Sequence, residues 1–119
     1  MRLFLYGTLK RGARNHHYLG GGTFLGVATT MPAYRLYDLG PYPALVEEPG
    51  TGIAVSGELW EVLAALVMEL DSFEGVPTLF ERRSITLAHD AGPAHAYFYM
   101  REVPPGAPSG SAWPLRTGG

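Results

Sequence analysis

The sequence predicts an α+β fold, a small, mostly antiparallel sheet or barrel against which one main helix packs. Three observations predict it. Only one segment, residues 62–73, carries a convincing apolar stripe at helical spacing. Several short stretches instead alternate apolar and polar residues with the period of two that a half-buried strand requires. The 16 glycines and 10 prolines in 119 residues punctuate the chain too often for long helices. Strands outnumber helices and do not alternate with them, which argues against a doubly wound fold.

Residues 2–6 form a short apolar run that ends at Gly7 and reads as a buried first strand. Residues 7–12 make a polar loop, 15–19 one helical turn, and Gly20, Gly21 and Gly22 break it. Residues 23–30 lean toward strand through Phe24, Val27 and the threonines, and 33–39 alternate around two tyrosines. A turn at 40–43, a short strand at 44–47 and a turn at 48–52 follow. Residues 53–60 alternate cleanly, with Ile53, Val55, Gly57 and Leu59 on one face and Ala54, Ser56, Glu58 and Trp60 on the other. The helix over 62–73 aligns Val62, Leu63, Leu66, Val67, Leu70 and Phe73, and it ends by Gly75 with Pro77 just beyond. Residues 83–89 alternate around Ile85 and Leu87, and 90–93 turn. Residues 94–100 form a last strand with Tyr97 and Tyr99 on one side and Phe98 on the other. Residues 1–101 read as one domain, and 102–119, with four prolines and four glycines, as an extended tail.

Composition narrows the function. Hydrophobic residues make up 46% and charged residues 17%, which is globular rather than disordered. A net charge of −2 leaves no basic excess for a phosphate backbone, so nucleic acid is not an expected partner. No cysteine is present, which excludes disulfides, zinc–thiolate sites and a cysteine nucleophile. The longest apolar run, 62–68, is far short of a membrane span, and no signal peptide is legible, so no membrane association and a cytoplasmic location are expected. No dinucleotide fingerprint, phosphate loop, zinc-protease helix or nucleophile elbow occurs. The adjacent His16 and His17 cannot share an ion, so no metal is expected.

Two segments stand apart. In Leu5-Tyr6-Gly7-Thr8-Leu9-Lys10-Arg11-Gly12 a buried strand runs directly into a glycine and a small hydroxyl residue. Such a turn lets successive amide N–H groups converge on an anion, although an ordinary strand-to-loop corner has the same pattern. In Leu70-Asp71-Ser72-Phe73-Glu74-Gly75 two carboxylates sit at a helix C-terminus, where the dipole disfavours them. Glu74, between Phe73 and Val76, is a candidate for desolvation and proton transfer; a solvated carboxylate at a frayed end is the alternative. Arg82 and Arg83 point to opposite sheet faces, so one of them is a candidate carboxylate ligand, and a phenol from Tyr97 or Tyr99 can line a pocket.

Together these segments resemble the γ-glutamyl cyclotransferase family, especially its small γ-glutamylamine, avirulence-induced-gene-like and butirosin-pathway members. The likeness rests on Tyr6-Gly7-Thr8-Leu9-Lys10-Arg11-Gly12, Asn15-His16, Gly57-Glu58-Leu59-Trp60, residues 70–75 and Leu79-Phe80-Glu81-Arg82-Arg83. The resemblance implies a small β-barrel with flanking helices, and cyclisation of a small γ-glutamyl substrate to 5-oxoproline and a free amine without a cofactor. It implies Glu74 as the acid/base and backbone amides of Tyr6, Gly7, Thr8 and Leu9 as the glutamyl cradle, with Arg82 and Tyr99 as further substrate-binding residues. Phe80 departs from the tyrosine that amine-type members often carry, which leaves the leaving amine open. A non-catalytic binding module on the same fold and a biosynthetic deprotecting enzyme are the competing expectations. The sequence carries no signal of oligomeric state.

Overall fold

The computed structural model describes residues 1–90 and 92–115. Strand β1 (Arg2–Leu5) lies at the centre of a five-stranded sheet ordered β2-β5-β1-β7-β6. Its partners are β5 (Ser56–Glu61), antiparallel, and β7 (His95–Tyr99), parallel. The outer strands are β2 (Thr23–Thr29) and β6 (Phe80–Ser84). A second sheet, ordered β4-β3-β8, contains β3 (Tyr34–Asp38), β4 (Pro43–Glu47) and the two-residue β8 (Ser109–Gly110). One α-helix, α1 (Ala64–Phe73), and a 3-10 turn (His16–Leu19) complete the described residues.

The apolar run that marks β1 in the sequence is buried on both faces, which is why it takes the centre. Phe4 packs with Leu36, Leu45 and Phe98 between the two sheets. Leu3 and Leu5 point the other way, onto Val67 and Leu70 of α1 and Phe80 of β6. The alternation of residues 53–60 sorts the same way: Val55 and Leu59 enter the inter-sheet core and Trp60 the core under the helix. Gly57 is required where β5 crosses β1, because a Cβ there would stand 2.5 Å from the Leu5 carbonyl oxygen.

The α+β class, the largely antiparallel pairing and the single main helix are therefore as expected. The sheets are not closed into a true barrel. Thr30, just past β2, bridges to Leu87, beyond β6, but the strand pairing of the two edges goes no further. The helix begins two residues later than its apolar stripe, because Val62 donates its N–H to the Met1 carbonyl at 2.8 Å and stays extended. Leu63 is left exposed at the N-cap. Strand β6 begins at Phe80 and ends at Ser84, earlier than the 83–89 alternation, and Ile85 and Leu87 reach the inter-sheet core from the segment that follows.

Residues 102–115, expected as tail, fold onto the domain; 116–119 lie outside the described residues. Gly110 and Ser109 pair with Leu36 and Tyr37 of β3, and the Ser56 N–H donates to the Ser111 carbonyl at 2.7 Å. Trp113 packs against the inter-sheet core and accepts a hydrogen bond at its carbonyl from Lys10 Nζ at 2.5 Å.

Gly57→Ala is expected to destabilise the protein by about 2–3 kcal/mol, because backbone has to shift to admit the methyl group. Gly21→Ala, which meets nothing within 4 Å, should fall within about 0.5 kcal/mol of wild type. Urea midpoints of the two variants check the contrast.

Candidate active site

A cleft of about 200 Å³ opens beside the C-terminal ends of β1 and α1. One wall is the turn after β1. A Cβ on Gly7 would stand 2.8 Å from Pro43 Cγ, so glycine alone allows this approach. The Lys10 N–H donates to the Gly7 carbonyl at 3.1 Å and the Asn15 N–H to the Thr8 carbonyl at 2.9 Å. Asn15 Nδ2 adds a bond to Thr8 Oγ1 at 3.0 Å. Below the turn, Glu58 of β5 accepts from the Arg11 N–H at 3.0 Å, Arg11 Nε at 3.3 Å and the Trp60 indole at 3.1 Å. Burial pushes the Glu58 carboxyl up, but these donors outweigh it and hold it below the usual carboxylate range. The amides of Gly7, Thr8 and Leu9 find no acceptor among the described residues, so they form a row of free donors in the cleft wall.

Glu74 lies in the opposing part of the sequence pattern, at the end of α1, and its backbone is fixed by a glycine-capped turn. Gly75 adopts φ +70, its N–H donates to the Ser72 carbonyl at 3.1 Å, and the Val76 N–H reaches the Asp71 carbonyl at 3.0 Å. The half-buried Glu74 side chain lines the cleft with Phe73, Leu79 and Phe80. Among the described residues it has no ion-pair partner. Burial alone acts on its carboxyl and pushes it up to about 7. A carboxyl so placed exchanges a proton readily near neutral pH.

The other carboxylate of the segment is used differently. Asp71 accepts both Arg82 Nε at 3.0 Å and Arg82 Nη2 at 3.2 Å, and the Tyr97 hydroxyl at 2.7 Å. Burial raises the Asp71 carboxyl, yet these donors hold it below its ordinary value. Tyr97 is raised well above the ordinary phenol, first by burial and then by Asp71. Its carbonyl accepts the hydroxyl of the buried Tyr6 at 2.5 Å. Two turn-flanking elements, β1 and the end of α1, are thus tied through β6 and β7.

Of the residues singled out in the sequence, Tyr6, Gly7, Thr8, Leu9 and Glu74 come together in the cleft. Tyr6 contributes its ring, since its hydroxyl is committed to Tyr97. Arg82 and Tyr99 do not line the cleft. Arg82 is held two-pronged on Asp71, and Tyr99 packs edge-on against Phe80, ring centroids 5.5 Å apart. Tyr97, one alternation earlier on β7, takes the wall position instead. Sequence reasoning passed over Tyr42 and Arg14, which also line the cleft; they stand in a turn and a loop where no periodicity marks a facing direction. Burial, then Tyr99 and Glu74, raise the Tyr42 phenol, which puts it within the field of Glu74. Among the described residues no three His, Asp or Glu side chains converge as metal ligands.

The family profile described as Gamma-glutamyl cyclotransferase, AIG2-like matches residues 3–114. A Vibrio cholerae protein provisionally named a γ-glutamylcyclotransferase is 42% identical over 98 residues, 82% of this chain and 81% of that one. The γ-glutamylaminecyclotransferase of Rattus norvegicus is 38% identical over 90 residues, and the match spans 70% of this chain but 60% of the rat protein. The crystal structure of an AIG2-like protein from Mus musculus superposes with a TM-score of 0.84 at 28% identity, covering 94% of this chain and 86% of that one.

The raised Glu74 carboxyl carries a stability consequence with a definite sign. Protonated Glu74 is favoured in the fold, so its contribution is complete below the unfolded value of about 4.3 and is lost as pH rises through about 7. Glu74→Gln, neutral at every pH, should gain up to ~3 kcal/mol over wild type between pH 4 and pH 8. Urea unfolding of both proteins at the two pH values checks it.

Proposed function

The chain belongs to the AIG2-like γ-glutamyl cyclotransferase family, and from that footing we propose that it cyclises a γ-glutamyl amine or short γ-glutamyl compound to 5-oxoproline and the free amine. One observation carries the reading: a half-buried carboxylate shares a cleft with a row of backbone N–H groups, and none of them has a partner among the described residues.

The chemistry suits so sparse a site. The substrate's α-carboxylate lies on the amides of Gly7, Thr8 and Leu9, which fixes the glutamyl chain in a bent conformation. Its α-nitrogen then attacks its own γ-carbonyl carbon, so nucleophile and electrophile need only be held together. Glu74 takes the proton from that nitrogen as the new C–N bond closes the five-membered ring. It passes the proton to the departing nitrogen as the old C–N bond breaks, and is itself restored. No water is consumed and nothing is oxidised or reduced, so the balance calls for no cofactor. Phe73, Leu79 and Phe80 keep the carboxylate poorly hydrated and thus basic enough at neutral pH. Asp71, Arg82 and Tyr97 act as positioning residues that fix the end of α1, rather than as substrate ligands.

Purified protein is expected to release 5-oxoproline from at least one of ε-(γ-glutamyl)-lysine, γ-glutamyl-alanine and glutathione, read by mass spectrometry. Glu74→Gln should lower kcat by roughly 10²–10⁴ while keeping the fold. Silence on all three substrates from folded protein, or a variant that keeps most of its activity, sinks the mechanism. The acid limb of kcat/KM should fall near pH 7; a limb near 4, where a solvated glutamate titrates, is incompatible with a desolvated base.

A further inference from the structure

Among the described residues, the cleft is lined by one charged side chain besides Glu74, that of Arg14. It is exposed, and it is carried on a rigid segment: Ala13 N–H bonds the Lys10 carbonyl at 3.0 Å, and Asn15 bonds Thr8 through backbone and side chain. Arg14 Nη2 donates to the Pro41 carbonyl, which props the guanidinium against the turn before β4. Among the described residues no carboxylate pairs with it. A guanidinium has five N–H donors, so most of its donors stay available to the cleft.

We infer that Arg14 selects substrates whose leaving amine carries a carboxylate, so that γ-glutamyl amino acids are favoured over γ-glutamyl amines without a negative charge. The inference rests on the reading above: once the glutamyl α-carboxylate occupies the amides of Gly7, Thr8 and Leu9, an exposed guanidinium at the cleft edge is left for a second anion. The forked geometry of arginine matches a carboxylate two-pronged. The rest of the wall, Tyr42, Phe73, Leu79 and Phe80, offers no acid to hold a leaving group that ends in an ammonium.

The test separates binding from turnover. The Glu74→Gln variant is titrated by calorimetry with γ-glutamyl-alanine and with γ-glutamyl-alaninamide, which differ only in the terminal charge. The acid should bind about tenfold more tightly than the amide at low salt, with the gap narrowing as salt is added. Adding Arg14→Gln should bring the two affinities together. Equal affinities with Arg14 present, a preference that survives its removal, or binding of neither ligand overturns the inference. If the binding preference holds but wild-type protein releases no 5-oxoproline, the reaction fails and the role of Arg14 stands.

Discussion

Leu3, Phe4 and Leu5 are out of water on both faces of β1, and this one strand supplies side chains to both cores of the protein. Because β1 is only four residues long, it leaves little freedom in where the chain emerges. Tyr6 and Gly7 follow at once, with Tyr6 anchored to the neighbouring β7 and Gly7 pressed onto the start of β4. The free amides of the cleft are therefore presented by a strand end that hydrophobic burial holds in place, rather than by a loop that must order itself around a ligand. Preorganisation of this kind lowers the entropy lost on binding.

The buried and half-buried acids that meet a partner differ from the one that does not. Glu58 is met by Arg11 and Trp60, Asp71 by Arg82 and Tyr97, and Glu48 by Tyr37 and Arg35, and each is held below its ordinary range. Glu74 alone moves the other way. Its position at a helix C-terminus, beside an apolar wall, offers it neither a donor nor a favourable dipole. A carboxylate in that setting costs stability at neutral pH, and local conflicts of this kind concentrate where chemistry is done.

Much of this was legible in the sequence where periodicity or a turn residue carries direct physical meaning. The run at β1, the alternation at β5 and the helix ending by Gly75 have that character, whereas the joining of the Gly7 turn with Glu74 comes from the likeness of the two segments to a known family. What failed to show has a common cause. A strand's alternation says that Tyr97 and Tyr99 share a face, but only the lie of α1 decides which of them meets the cleft and which packs on Phe80. One of Arg82 and Arg83 was legible as a carboxylate ligand, yet the carboxylate Arg82 meets is the protein's own Asp71, a pairing between helix and strand that spacing does not announce. Arg14 and Tyr42 stand in irregular segments, where facing is set by tertiary contacts alone. The short β8 sits in a stretch rich in proline and glycine, whose composition argues for extension and is silent about what it pairs with.

The bond from Lys10 to the Trp113 carbonyl joins residues 103 positions apart and ties the base of the cleft turn to the last segment described. A chain leaving the ribosome exposes the turn early and the segment that braces it late. The turn is made before the support it receives from Trp113, and Ser109 and Gly110 pair with β3 only after every other described strand is out of the exit tunnel. Until then β3 has an open edge and Lys10 lacks its carbonyl partner. Assembly of the cradle thus waits on a segment that follows it by about a hundred residues, and the turn stays unbraced until that segment has emerged.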